Sequence, residues 1–364
     1  MPIRMMRLIL IWQVIAMSNK LRYPVLYCTI ATKTGKKLEL ENNLRPGSDL
    51  LFTFDINFNM DATPPESSAS FINSSQHIRN YLKAKNKVAF YIKYEAFGKT
   101  LIDEGEIKSV DPIQYDGVTT TVPITFSSGN DYSSIPAKSI QKEKNKTEGH
   151  YKRAKVKVKG KTVKRRVHYY TVEDGKKVGH YKEGHVHVDG KTEIKRTRYT
   201  VKKKVYTNLS FKKGVKPSVA IKKIAHEAGI KIASMKLAQD KPFKKGYTVS
   251  GKPLSAINKL VKRCKSKMFY ERGQLKIDDL KKSKKTHIIL DYTSGLLNEP
   301  SYSDDSESGD ELYESTSYLL PQITVRSTYE VRGDFIKKTL IAQSGTYSFD
   351  GTQPTMTVDG SPAK

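Results

Sequence analysis

Hydrophobic and polar residues alternate along much of this chain, and helical spacing interrupts that alternation at three places. Leu51–Phe58 sets Phe52, Phe54, Ile56 and Phe58 on one side and Thr53, Asp55 and Asn57 on the other, which predicts a half-buried strand. Val88, Phe90, Ile92 and Tyr94 repeat the pattern. Pro24–Thr32, Glu106–Val110 and Thr119–Phe126 predict further strands, separated by turn signals at Gly35, Pro64-Pro65, Gly98, Pro112 and Asp116-Gly117. Gln76–Lys83 predicts two helical turns with Ser74 or Ser75 as cap. Beyond residue 216 the spacing lengthens. Ile221, Ile224, Ala225 and Ala228 predict a helix capped by Ser218 and ended by Gly229. Pro253 opens a second helix carrying Leu254, Ile257, Leu260, Val261 and Cys264. Short strands are expected at Lys231–Leu237 and Tyr247–Ser250, with a hairpin around Arg272-Gly273-Gln274. His287–Leu290 has the look of a buried strand, and Ile323–Val358 supplies late strands. Ser303–Glu314 is acidic and polar and predicts a solvated loop.

Between these two styles lies a repeat. Gly149–Val172 and Gly179–Val201 are two copies of one pattern, offset by 30 residues at their starts. Lys138–Lys204 holds 23 Lys and Arg against 7 Asp and Glu, a net +16 out of +28 for the chain. Lys155, Lys157 and Lys159 alternate with Val156 and Val158, which is strand grammar. Lys159-Gly160 and Asp189-Gly190 stand where two-residue hairpin turns would, with Glu173-Asp174-Gly175 as a link. Two successive hairpins, forming a twisted ribbon of about four strands, are therefore expected. The segment has too few large apolar residues to bury a core of its own.

Charge makes this ribbon the candidate binding surface. Lys155, Lys157, Lys159, Lys164, Arg165, Arg166, Lys195, Arg196, Arg198, Lys202, Lys203 and Lys204, interleaved with tyrosines, form a cationic stripe suited to polyanions. The bland reading is that such charge only keeps an exposed ribbon soluble, and an acidic protein partner is a third. No helix-turn-helix or paired zinc ligands accompany the stripe, so specific base readout is unsupported.

The catalytic inventory is thin. No Gly-rich phosphate loop and no Gly-x-Ser-x-Gly occurs, and His226-Glu227 lacks the second histidine of a helical zinc motif. His185 and His187 share a strand face without a third ligand at fixed spacing, so no metal is expected. The acidic stretch lacks the ordered spacing of a calcium loop. Arg332-Gly333-Asp334 matches an adhesion tripeptide at the level of chance. Cys28 and Cys264 sit inside apolar patterns and read as buried free thiols rather than a disulfide scaffold. Leu8–Met17, after Arg4 and Arg7, is too short to span a bilayer as a helix. An internal start at Met17 is preferred there, over a signal peptide or a packed helix. No other stretch is long and apolar enough to cross a membrane, so a soluble body with no membrane partner is expected.

The series of motifs in the flanking segments resembles phage tail baseplate hub proteins, chiefly those of tailed phages of Gram-positive hosts. The first segment carries Phe52–Ser75, then Asn86–Val110, with Asp103-Glu104-Gly105-Glu106-Ile107 at a step where the family has an aromatic residue in place of Asp103. The second carries Val219–Ile232 followed by Tyr247–Ile277, then Ser294–Pro300 and Leu319-Leu320-Pro321 with Ile323. The likeness covers roughly residues 22–130 and 205–345. The basic duplication is outside the pattern, and Thr346-Tyr347-Ser348-Phe349 stands where a tryptophan-bearing step is expected.

The chain is thus expected to be mixed α+β and β-rich. Two small β-barrel- or sandwich-like domains with a few short helices would be separated by a basic β-ribbon insertion. The boundaries are 1–20 for an N-terminal extension, 21–137 for the first β domain, 138–205 for the insertion and 206–364 for the second α+β domain with its acidic loop at 303–314. The resemblance implies a late structural protein of the virion tail, assembled in the host cytoplasm, with neither enzymatic activity nor a cofactor. It implies a homotrimeric ring joining the tail tube and adaptor proteins to the central spike and passing DNA at ejection. The ribbon would then sit outside the ring, because a cationic lumen would hold DNA back, and would meet a neighbouring baseplate protein or wall polyanions there. DNA in transit or cell-wall polyanions are further expected partners of the protein. The alternative is a polyanion- or nucleic-acid-binding protein acting through residues 138–204, and a wall-degrading enzyme is a third class.

Overall fold

Where the sequence alternates, strands form. The computed structural model describes residues 23–363 apart from 46, 96–97, 280–283 and 305–310. The readings of Leu8–Met17 lie outside the described residues. The first stretch gives β1 (Val25–Ala31), β2 (Lys37–Asn43), β3 (Phe52–Phe58), β4 (Glu66–Ile72), α1 (Gln76–Arg79), β5 (Lys87–Tyr94), β6 (Gly98–Val110), β7 (Gln114–Tyr115) and β8 (Thr120–Ser128). The basic segment gives β9 (Gln141–Val158), β10 (Lys161–Glu173), β11 (Lys176–Val188) and β12 (Lys191–Asn208). The last stretch opens with β13 (Ser210–Phe211), α2 (Pro217–Ala228), β14 (Ser234–Met235), β15 (Tyr247–Thr248), α3 (Pro253–Arg263), β16 (Ser266–Glu271) and β17 (Gln274–Asp279). It closes with β18 (Lys284–Asp291), β19 (Ser301–Asp304), β20 (Glu311–Tyr318), β21 (Ser327–Arg332), β22 (Lys337–Phe349) and β23 (Thr355–Pro362). The protein is mixed α+β and β-rich, and its sheets do not close into a barrel.

The chain forms two compact units. One is the body, made of the residues up to Ile140 together with those from Leu209 onward; the other is Gln141–Asn208. In the body, one sheet runs β19-β20-β23-β22-β3-β4-β8-β6-β5-β1-β2, with β21 and β18 branching from β22 and β7 from β8. The join between early and late strands is β22 against β3, with Tyr347 opposite Ile56 and Phe349 opposite Phe54. Thr346-Tyr347-Ser348-Phe349 therefore does a packing job: Phe349 lies 5.9 Å from Phe54, which lies 5.2 Å from Phe90. Phe126 and Phe52 extend the row from Phe90, at 5.4 and 6.0 Å. Tyr347 is buried and donates its hydroxyl to the Ile323 carbonyl at 2.6 Å. Removing these rings from water stabilises the body more than any of its polar contacts does.

A second apolar cluster packs α2 and α3 against the β14-β17-β16 sheet through Ile221, Ile224, Ile257, Leu260, Met268 and Ile277. Gly229 ends α2 in a left-handed conformation, as its sequence position implies. Ser218 is not the cap. Pro217 already occupies the first turn, Lys216 is the cap residue, and the Ser218 hydroxyl donates instead to Asp240 at 2.6 Å. The acidic stretch also differs from expectation. Ser301–Asp304 and Glu311–Glu314 pair as strands, with Tyr302 opposite Tyr313, leaving only 305–310 outside the described residues. Alternate burial of Tyr313, Ser315 and Ser317 explains why polar residues hold a strand there. Cys28 and Cys264 are free and buried. No helix among the described residues is long and apolar enough to cross a membrane.

Candidate polyanion interface and the body junction

The repeat folds differently from two successive hairpins. β9 pairs with β12, and β10 pairs with β11 inside them. The tight turn of the ribbon is Asp174-Gly175, whose φ values of 47° and 74° match the left-handed pair of a type I′ turn. Lys159-Gly160 and Asp189-Gly190 face each other where the ladders break, since Val158 opposes Lys191 and Lys161 opposes Val188. The reason is steric. A Cβ on Gly190 would lie 2.4 Å from the Val158 carbonyl oxygen and 2.9 Å from the Gly160 nitrogen. Both copies thus contribute their glycine to one close crossing of backbones, and each copy lies along one arm of a single long hairpin.

Cross-strand partners share a face, so the register sorts the candidate cations. On one face of the outer ladder stand Lys155, Lys157, Arg196, Arg198, Lys202 and Lys204, joined by Arg153, which the alternation of lysines did not single out. Lys195 and Lys203 point to the other face with Glu148 and Glu193. Lys164 and Arg166 share a face of the inner ladder with His185 and Glu183, Arg165 lies on the opposite face, and Lys159 sits in the gap. The tyrosines mostly pair with histidines across the strands. His150 stacks on Tyr199 at 5.7 Å, Tyr169 meets His180 at 5.5 Å, and His168 lies edge-on to Tyr170 and Tyr181. Such pairs stabilise a ladder that buries little.

The body holds a different polar constellation. The β16–β17 hairpin turns through Arg272 and Gly273 at φ 50° and 73°, and its tip rests on β6. A Cβ on Gly129 would meet the Gly273 carbonyl oxygen at 2.2 Å, and one on Gly273 would meet that of Glu104 at 2.4 Å. Asp103, 4% exposed, accepts hydrogen bonds from the Ser128 hydroxyl and from the backbone N–H of Glu104 and Gly273. Burial pushes its carboxyl up to about 7, against the lowering effect of those bonds. Arg272 donates to the Pro321 carbonyl at 2.6 Å, and Thr324 donates to Glu271 at 2.7 Å. An acidic side chain in place of an aromatic one at position 103 is therefore the acceptor for a hairpin tip. The cavity beside it measures about 20 Å³, room for a water. Among the described residues no group of three His, Cys, Asp or Glu could hold a metal ion.

No protein-family model matches the sequence, and no curated protein does. Solved structures do share the fold. A tail protein from Neisseria meningitidis MC58 matches with a TM-score of 0.51 at 8% identity, over 92% of this chain and 96% of that one. The 43 kDa tail protein of prophage MuSo2 from Shewanella oneidensis gives 0.51 at 10%, over 92% and 97%. The E. coli c3393 protein, described as a type VI secretion component similar to the T4 tail proteins gp27 and gp5, gives 0.50 at 10%, over 86% and 74%. The chain therefore shares its fold with these tail proteins.

Proposed function

We propose that this protein is a structural component of a phage tail baseplate, built as a homotrimeric ring that connects the tail tube to the central spike and lets DNA pass. The observation that carries this reading is the near end-to-end match, in both directions, to two tail proteins. Two features of the body support it. Among the described residues the sheet ends in β2 on one side and β19 on the other, each hydrogen-bonded to a single neighbouring strand, so both offer an edge that another copy can pair with. The polar groups around Asp103 are taken up by the protein's own β16–β17 hairpin, so this constellation holds the body together. On this reading the protein is a late virion component, assembled in the host cytoplasm, and its partners are further copies of itself with the tube, adaptor and spike proteins.

The test is the mass in solution. A purified chain running at three times its own mass, alone or once tube and spike proteins are added, supports the ring. A single-chain mass under both conditions overturns it. A second reading, a nucleic-acid-binding protein, is favoured by the charge of the ribbon alone and predicts a monomer that binds DNA.

A further inference from the structure

The two ladders of the ribbon come from one repeat, yet their charges differ. Arg153 and Glu183 occupy the same place in their copies, directly after Gly-His-Tyr-Lys. Arg166 and Arg196 likewise both stand six residues after the crossing glycine. The register sets Arg166 opposite Glu183 in the inner ladder and Arg196 opposite Arg153 in the outer one. Opposite charges facing each other support an antiparallel pair, and like charges weaken it. The inner ladder is thus compensated at this position and the outer is not. The same contrast holds at large. Residues 141–158 with 191–208 carry 14 Lys and Arg against 3 Asp and Glu, a net +11, whereas 161–188 carry 7 against 3, a net +4.

The uncompensated face is continuous. Thr147–Lys202, Gly149–Thr200, Tyr151–Arg198, Arg153–Arg196, Lys155–Ile194 and Lys157–Thr192 are its successive pairs, without a carboxylate among them. The ion pairs that Lys146 and His150 make with Glu148 lie on the other face of the outer ladder. The Arg198 guanidinium lies over Gly149, where no side chain lifts it from the strand. These six pairs span about 33 Å at strand rise, close to one helical turn of duplex DNA. A two-stranded ribbon is also one of the few elements that the major groove admits. Tyr151, 66% exposed, is the one tyrosine on these six pairs and stacks on no other ring among the described residues. Single-strand readers present several free rings along a basic groove; one ring beside six cations suits phosphates instead.

We infer that the outer ladder is a duplex-DNA-binding surface, sequence-independent and centred on the Arg153–Arg196 pair, and that the inner ladder is its charge-compensated copy. This goes beyond the tail reading and does not depend on it.

The test uses the full chain, a mixed-sequence 20-base-pair duplex and fluorescence anisotropy between 50 and 200 mM salt. R196E gives the outer ladder the pairing that the inner already has, so the ribbon keeps its fold, which circular dichroism checks. It is expected to weaken duplex binding at least about tenfold and to flatten the log K against log [salt] slope by about 2. E183R, which adds a cation and frees Arg166, is expected to do the reverse, tightening binding and steepening the slope by up to about 2. Native-like binding by R196E overturns the proposal, as does a native chain that fails to bind the duplex at 50 mM salt. Tighter binding of a single strand, or of poly(glycerol phosphate), at equal phosphate concentration also overturns it and gives the face to that polymer. The solution mass, read on the same samples, reports on the ring separately.

Discussion

Body and ribbon are both made of alternating strands, but the alternation does different work in each. In the body every second residue is buried: β3 puts Phe52, Phe54, Ile56 and Phe58 inside, and partners from β22 and β5 meet them there. In the ribbon the alternate residues are Lys, Arg, Tyr and Val, and nearly all stay exposed, with Tyr151, Tyr181 and Ile194 more than 60% accessible. The ribbon is held by its ladder, its type I′ turn and its His–Tyr pairs, a marginal set of forces for two strands in water. The difference teaches that strand periodicity reports geometry, while the residue types on each face report what that face meets.

The largest expected effect tests the first half of that comparison. Phe90→Ala removes the ring that Phe52, Phe54 and Phe126 surround and should destabilise the body by about 3–5 kcal/mol. Tyr151→Ala in the ribbon should change stability by less than about 0.5 kcal/mol. Chemical denaturation followed by far-UV circular dichroism reads both. Comparable losses at the two sites would mean that the ribbon has a core of its own.

A smaller loss is expected at the body junction. Gly129 has φ 83° and faces the Gly273 carbonyl oxygen, so Gly129→Ala must push the hairpin tip off β6. The cost should be about 1–3 kcal/mol, the range for overpacking, seen as a lowered denaturation midpoint. A midpoint equal to that of the parent would show that the tip is not pressed against β6.

Asp103 sharpens the comparison through pH. Its folded pKa is raised to about 7, so the folded chain holds this proton more tightly than the unfolded chain does. The group therefore favours folding at low pH, and that contribution is lost as pH climbs from the ordinary carboxylate range to about 7. Asp103→Asn removes the titration while keeping the shape. Native stability relative to this variant should fall between about pH 4 and 7, measured as the difference in melting temperature. Parallel profiles would mean that Asp103 is ionised and solvated in the fold.

Much of this was legible beforehand, and the rest was hidden for physical reasons. Phe52–Phe58, Val88–Tyr94 and the Pro253 helix follow from local periodicity, because burial on one face is a local demand. β4, Glu66–Ile72, escaped the reading of periodicity because Ser67, Ala69 and Phe71 on its buried face include one large apolar side chain. The nesting of β10–β11 inside β9–β12 was missed because Lys159-Gly160 and Asp189-Gly190 carry turn residues. Their glycines serve a backbone crossing instead, which depends on a partner 30 residues away. The same long-range register hid Arg153, whose importance appears only when Arg196 is set opposite it. Asp103 was visible as a departure from a familiar step, but its acceptor role needed Gly273, 170 positions along.

The smallest expected effect is the most direct challenge to the contrast between the two units. Neither apolar cluster includes a residue between Gln141 and Asn208. At the base of the ribbon these two stand opposite each other, with the Gln141 amide donating to Asn208 at 2.8 Å. Replacing 142–207 by Asn-Gly joins neighbours across a turn that suits such a pair. Since neither cluster loses a residue, the melting temperature of the body should move by no more than about 2 °C, roughly the shift that 1 kcal/mol produces in a domain of this size. The solution mass should stay at three chains if the ring reading holds, while duplex DNA binding vanishes. A large drop in melting temperature would instead make the ribbon a support on which the body leans.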